Sequence, residues 1–273
     1  MEVTPKIALV GNPNSGKSSL FNILTGLNQK IGNFPGVTVD KKTGHCHLSD
    51  SRRVEVIDLP GTYSIYPNSS DERIVFDILS NKSNEMHPDV VVVIVDASNF
   101  KRSLLLFTQI HDLGIPSVLV LNMMDLVEKT GHSINVELLS EELGVPIVPM
   151  KARTGEGIER LKDVLAKDIK VQEKPIFDPG KYVPEAISAV KEAFPVGNDY
   201  QAYQLLQQFR INDAVSGEDK AKLEEISDRF NFNSHELRKN ETLERYRSIN
   251  EFVAHSVKES APIMSRQWTE TLD

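Results

Sequence analysis

At 273 residues, with 40% hydrophobic and 26% charged residues, the chain has an ordinary globular composition. It is long enough for one domain of about 150–200 residues plus a smaller one. A net charge of −8 argues against a broad nucleic-acid surface, and the single Cys46 excludes an intramolecular disulfide framework, which points to a reducing, cytoplasmic compartment. The longest apolar run, Val90–Val95, is far too short to cross a bilayer, and no signal segment opens the chain.

Up to about Ile169 short apolar runs alternate with helical patterns. The spacing predicts strands over Lys6–Val10, Thr43–Leu48, Arg53–Ile57, Asp89–Asp96, Pro116–Leu121 and Val145–Val148. Helices are predicted between them, over Lys17–Thr25, Asp71–Ser80, Lys101–Leu113, Val136–Leu143 and Gly157–Asp168. Val91–Val95 and Val118–Leu121 are apolar throughout, as strands covered on both faces must be. Thr43–Ile57 reads instead as a hairpin around Ser49-Asp50-Ser51. The expected fold is therefore α/β: a doubly wound P-loop sheet, mostly parallel with one antiparallel edge.

Val171–Pro184 carries Pro175, Pro179, Gly180 and Pro184 and reads as a linker. Only helical patterns follow, over Pro184–Phe194, Asp199–Phe209, Gly217–Phe230 and Glu241–Lys258. The expected organisation is a nucleotide domain over 1–170, a linker over 171–184 and a small all-α domain over 185–273.

The phosphate chemistry lies in Gly11-Asn12-Pro13-Asn14-Ser15-Gly16-Lys17-Ser18, which leaves a strand and opens a helix. Glycines allow a backbone whose N–H groups point inward, and the helix N-terminus adds positive partial charge. Lys17 would reach the β- and γ-phosphates, and Ser18 would give its hydroxyl to Mg²⁺.

Three further elements follow strand ends. Asp58-Leu59-Pro60-Gly61 would hold Mg²⁺ through water at Asp58 and meet the γ-phosphate at the Gly61 N–H. In Asn122-Met123-Met124-Asp125 the Asp125 carboxylate can accept both N–H groups that guanine, but not adenine, offers as a pair. Lys151-Ala152-Arg153 would present backbone N–H groups to the guanine carbonyl. Asn68-Ser69-Ser70-Asp71 matches the same Asn-x-x-Asp pattern without a preceding strand, and reads as a helix cap.

The loop Leu27–Lys42 suits a segment ordered by γ-phosphate and Mg²⁺. Within Gly36-Val37-Thr38-Val39-Asp40, Thr38 is the candidate second hydroxyl ligand of Mg²⁺. Where the common plan has a water-orienting glutamine, this chain has Thr62, which is too short for that work. No arginine finger is identifiable; Arg73 reads as a solvated helix residue. The expected turnover is slow, with Asn14, Lys17, Thr38 and Gly61 around the reacting phosphate. Asn14 can coordinate K⁺ beside the phosphates, where an arginine's charge would otherwise act.

Gly11–Ser18, Gly32-Asn33-Phe34-Pro35-Gly36-Val37-Thr38-Val39, Asp58-Leu59-Pro60-Gly61-Thr62-Tyr63-Ser64, Val95–Asn99 and Leu121–Asp125 together resemble the bacterial ferrous iron transport protein B family, from Lys6 to about Ile169. The resemblance implies a GTPase domain and a helical, dissociation-inhibitor-like domain ahead of a polytopic membrane region, on the cytoplasmic face of the inner membrane. It also implies potassium activation through the residue matching Asn14, weak nucleotide affinity and fast GDP release. Met123 replaces the lysine of the commoner motif, and Lys151 stands where a small hydroxyl residue is usual. The membrane region would begin about where the chain stops, at Thr271-Leu272-Asp273. The expected function is a GTP-hydrolysing switch that drives or gates ferrous iron uptake, with GTP or GDP, Mg²⁺ and K⁺ bound. Expected partners are that membrane region, a small accessory protein and further copies of the chain, with no nucleic acid.

A soluble regulatory or ribosome-assembly GTPase, or a sensing module with negligible turnover, are the alternative readings. Gly44-His45-Cys46-His47 invites a metal reading, but strand alternation places His45 and His47 on one face and Cys46 on the other.

Overall fold

The computed structural model describes residues 4–27, 29–34, 39–49, 52–172, 174–212 and 214–259. Among them, β1 (Lys6–Gly11), β2 (Gln29–Asn33), β3 (Asp40–Ser49), β4 (Arg52–Asp58), β5 (Val90–Asp96), β6 (Ser117–Asn122) and β8 (Ile147–Pro149) form one sheet. Its order is β2-β3-β4-β1-β5-β6-β8. A separate ribbon pairs β7 (His132–Ile134) with β9 (Val257–Glu259). The helices are α1 (Lys17–Thr25), α2 (Ser70–Ser80), α3 (Phe100–Asp112), α4 (Met124–Lys129) and α5 (Val136–Leu143). They continue with α6 (Ile158–Leu165), α7 (Pro184–Ala193), α8 (Asp199–Gln208), α9 (Gly217–Arg229) and α10 (Ser234–Ser256).

β4, β1, β5, β6 and β8 are parallel neighbours, and β3 runs against them. The hairpin is not outermost, because β2 adds itself beyond β3. Alternation along the strands divides the core. Leu9, Val56, Val92, Ile94 and Val120 face α1 and α6, through Phe21, Leu24 and Leu161. Ala8, Ile57, Val93, Val95 and Leu121 face the opposite side, towards α2, α3 and the helices beyond residue 184. Helices on both faces of a mostly parallel sheet put the ligand crevice outside the carboxyl ends of the strands.

The helical part shares its buried core with the sheet: Phe177, Ile187, Tyr203, Leu206, Phe232 and Ile249 continue the cluster of Leu104, Phe107 and Leu119. The proline-rich segment after residue 171 is fastened too, since the Asp112 carboxylate accepts the N–H groups of Ile176 and Phe177 at 2.8 and 2.9 Å. No helix among the described residues is long and apolar enough to cross a membrane.

Candidate nucleotide site

Burial of β1 ends abruptly in a turn that only certain residues can make. Asn14 takes a left-handed conformation with φ 65°, and Gly16, with φ 93°, starts α1. A Cβ on Gly16 would overlap the Asn122 side-chain amide, so the close approach itself demands glycine. α1 has no side-chain cap and no acidic residue in its first turn. Its first N–H groups therefore lack a side-chain acceptor, as do those of α3, α4, α6 and α7, and in α1 they follow the phosphate loop, where an anion can take that place. By contrast, Ser69 caps α2 by accepting from Glu72 N, and the Glu72 carboxylate accepts from Asn68 N at 2.8 Å. Asn68–Asp71 thus belongs to a helix cap centred on Ser69, as its position in the chain implies.

Lys17 Nζ donates to Asp58 Oδ1 at 2.5 Å, and Ser18 Oγ lies 3.5 Å from Asp58 Oδ2. β4 delivers Asp58 beside the loop because it pairs with β1, Leu9 opposite Asp58. Leu59 N–H then donates to Leu9 O and Thr62 N–H to Gly11 O, each at 3.2 Å, and Gly61 lies against Pro13. Lys17, Ser18, Val39, Asp40, Asp58, Leu59, Pro60 and Gly61 line a cavity of about 770 Å³. Across the loop's mouth Phe34 N–H donates to Val39 O at 2.9 Å. Gly36, Val37 and Thr38 lie outside the described residues.

Asn122 joins the two halves of the site. Its amide nitrogen donates to Ser15 O at 2.8 Å, and its oxygen accepts from Ala152 N–H at 2.9 Å. Met123, left-handed with φ 63°, turns the chain so that Asn122 points inward while Asp125 faces the adjoining cavity. That cavity, about 840 Å³, is lined by Asn12, Pro13, Asn14, Gly16, Lys17, Ser18, Gly61, Asn122, Met123, Asp125, Lys151, Ala152 and Arg153. Ser15 and Met124 point elsewhere, Ser15 into the loop's interior and Met124 onto the core. Buried Asn12 Oδ1 and Ser15 Oγ have no hydrogen-bond partner.

Lys151 is held between two carboxylates, Glu128 Oε2 and Glu156 Oε2, each 3.3 Å from Nζ. The Glu156 hydrogen bond, assisted by Glu128, raises its ammonium above the ordinary lysine value. Of the three backbone donors expected in this motif, Lys151 N–H goes to Glu156 O and Ala152 N–H to Asn122.

Thr62 is fully buried, and its hydroxyl lies 2.6 Å from Ser64 O and 3.0 Å from Glu72 Oε1 while accepting from Ser64 N–H. A hydroxyl so engaged cannot also orient a water at the phosphate. Arg73 is half-buried within α2. Beyond Thr62 the segment is tied down by side chains that no motif singles out. Ser64 Oγ and Ile65 N–H both donate to Gln109 Oε1 of α3, at 3.0 and 3.1 Å. The Tyr66 hydroxyl donates to Glu241 of α10 and accepts from Gln204 at 2.9 Å. Burial among these groups pushes the Tyr66 phenol well above its ordinary value, so it remains a donor.

His45 and His47 take alternate exposure from buried Cys46, whose thiol burial pushes up. Among the described residues no group of three metal-ligating side chains comes together.

Residues 5–165 match the family described as ferrous iron transport protein B. The Fe(2+) transporter FeoB of Leptospira biflexa is 45% identical over 163 residues, which cover 59% of this chain and 23% of that relative. The chain spans only 18% to 23% of the length of the first curated relatives it matches. Among solved structures, the cytosolic domain of L. pneumophila FeoB aligns with a TM-score of 0.74 and 31% identity, covering 93% of this chain and 99% of that one. The cytosolic domain of T. maritima FeoB in its GMPPNP form aligns with a TM-score of 0.75 and 28% identity, over 93% of this chain and 100% of that one. The chain belongs to the ferrous iron transport protein B family and is its N-terminal GTPase region.

Proposed function

We propose that the chain binds GTP and hydrolyses it to GDP and phosphate, as the nucleotide switch that drives or gates ferrous iron uptake by a longer membrane protein. The observation that carries this reading is Asn122, which bridges the phosphate loop and the Ala152 turn and so unites a phosphate cradle with a base cavity lined by Asp125. The GDP and GMPPNP forms named for solved relatives support it. Residues 1–170 would form the nucleotide domain, 171–184 the connection and 185–273 the helical domain next to the membrane region, on the cytoplasmic face.

Within the site, the uncapped start of α1 and Lys17 would hold the phosphates, and Asp125 would hold the guanine N1 and 2-amino groups. The donors beside the phosphate loop suit Mg²⁺: a hydroxyl and a buried carboxylate in one place form the few hard-oxygen ligands this ion takes alongside phosphate and water. Ser18 and Asp58 would hold it, with Thr38 from the loop. Bound magnesium would supply charge neutralisation at the β- and γ-phosphates. The Asn14 amide oxygen offers a neutral ligand on the cavity wall, where K⁺ would supply the positive charge that no arginine brings. The Gly61 N–H would meet the γ-phosphate, and with Thr62 withdrawn, the attacking water would rest on backbone groups.

Phosphate release from GTP tests this directly. The chain is expected to turn over slowly in NaCl and about tenfold or more faster in KCl, with Asn14→Ala losing the difference. Equal rates in the two salts for the unmutated chain would remove the potassium assignment, and no release from GTP in either would remove the enzymatic reading.

A further inference from the structure

The chain that leaves α10 returns to the segment directly behind the base-reading motif. α4 carries Asp125 in its first turn and reaches β7 through only Thr130 and Gly131. That connection is tight. Thr130 N–H donates to Leu126 O and Val127 O, each at 3.2 Å, Gly131 N–H donates to Glu128 O at 3.1 Å, and His132 Nδ1 lies 3.0 Å from Thr130 Oγ1. Val127 is buried in the main core and Ile134 packs against the same cluster, so α4 and β7 share one support.

β9 follows α10 with no intervening residue and pairs antiparallel with β7: His132 opposite Glu259, Ser133 opposite Lys258, Ile134 opposite Val257. Two further contacts seat the end of α10, Asn135 N–H to Ser256 O at 2.7 Å and His255 Nδ1 to Glu142 Oε1 at 2.7 Å. Ile134 and Val257 turn inward against the core, while Ser133 and Lys258 are exposed. A two-stranded ribbon this short is marginal by itself and belongs to the least stable tier of local structure. A small bias in the position of α4 is therefore enough to shift it.

We propose that the β7–β9 ladder is a latch governed by occupancy of the base cavity. Guanine held on Asp125 fixes α4 and β7, which favours the docked strand; when the base leaves, the strand following α10 is released. This rests on Asp125 being the guanine acceptor. Linkage makes the effect reciprocal: by whatever factor guanine favours the docked strand, the docked strand favours guanine. The phosphate loop meets this path through the Asn122–Ser15 hydrogen bond, ahead of α4 and away from β7, so a ligand with phosphates and no base is expected to leave the latch unchanged.

Ser133→Cys with Lys258→Cys provides the test. Directly opposed residues of an antiparallel pair have Cα atoms about 4.5–5.5 Å apart, within disulfide reach. Release of a fluorescent GDP analogue from the 273-residue chain is expected to be about fivefold slower in the oxidised form, and restored by reductant. In the unmutated chain, hydrogen exchange of the 257–259 amides is expected to slow with GDP and not with inorganic pyrophosphate. Equal release rates in both redox forms, with the cross-link verified by mass, would overturn the latch. So would exchange slowed equally by GDP and pyrophosphate, or by neither. Guanine preference of Asp125→Asn, read in the same displacement assay, separates the two failures. Preference lost with redox-independent release rejects the latch and keeps the base reading, whereas preference retained rejects the base reading.

Discussion

Replacing Lys17 by alanine is expected to lower GTP turnover by about 10²–10³-fold, the usual effect of deleting one preorganised cationic donor at a developing negative charge. Lys17 is placed for that effect, since its side chain is only 11% exposed and its ammonium sits 2.5 Å from Asp58 Oδ1. Field strength at such a site exceeds that at an open surface because little water screens it. The same substitution leaves the Asp58 carboxylate, 6% exposed, without its cation. Part of the measured loss would therefore come from a displaced Asp58, and thermal melting of the variant with and without nucleotide separates the two. A Lys17→Ala chain that turns GTP over within a few-fold of the native rate would place the phosphates elsewhere.

The second large effect is structural and lies far from the phosphate loop. Arg245, fully buried in α10, donates from Nε to Glu241 Oε1 and from Nη1 to Asp112 Oδ2, both at 2.8 Å, and from Nη1 to Thr108 O at 2.9 Å. Its guanidinium also lies 4.8 Å from the centre of the Tyr200 ring. Arg245→Ala strips the cation from two buried carboxylates, a change that typically destabilises by about 3–5 kcal/mol. Urea unfolding is the measurement, because urea leaves ion pairs unscreened.

pH sharpens the prediction. Burial alone would raise the Asp112 carboxyl, but Arg245, His111 and the Ile176 N–H outweigh it and hold the group below the usual carboxylate range. A carboxyl depressed by folding stabilises the native state above its unfolded value, and that contribution fades as pH falls through the folded value. The stability gap between native chain and Arg245→Ala is therefore expected to be widest at neutral pH and to narrow under acid. A gap that stays constant down to the acid transition would assign the loss to packing instead of charge.

The parts of this fold legible in the sequence are those whose burial is apolar. β5 and β6 are buried on both faces and read as continuous valine and leucine runs; α1 announces itself behind the phosphate loop. β2 is legible only in the structure. Gln29–Asn33 is exposed at every position, and it is a strand because β3 extends to Asp40 and offers it an edge. β7 and β9 are three-residue strands separated by more than a hundred positions, and neither carries a period of its own. α10 shows most clearly why periodicity fails. Its inner stripe is Leu237, Glu241, Arg245 and Ile249, at helical spacing, and its two central members are charged. Read by hydrophobicity, the stripe looks like solvent, and the helix starts at Ser234, under the Asn233 cap, instead of at Glu241.

The site divides the same way. Motifs mark residues whose identity the site itself dictates: Gly16 by its close approach to Asn122, Lys17 and Asp58 by their paired charges, Asn122 by its two-sided hydrogen bonding. Residues that hold those segments in place, such as Gln109 and Tyr66, answer only to local geometry, and nothing in their spacing announces it.

On the proposed function, this cavity hydrolyses a guanine nucleotide chosen by Asp125. Steady-state phosphate release by the native chain and by Asp125→Asn, each with GTP, XTP and ATP, tests it most directly. A xanthine base carries a carbonyl where guanine carries its 2-amino group, so an amide in place of the carboxylate reverses the match. The native chain should favour GTP over both rivals, and the variant should lose GTP by about 10²-fold while gaining XTP. Unchanged GTP preference in Asp125→Asn, or native turnover of ATP as fast as GTP, would overturn the role of Asp125.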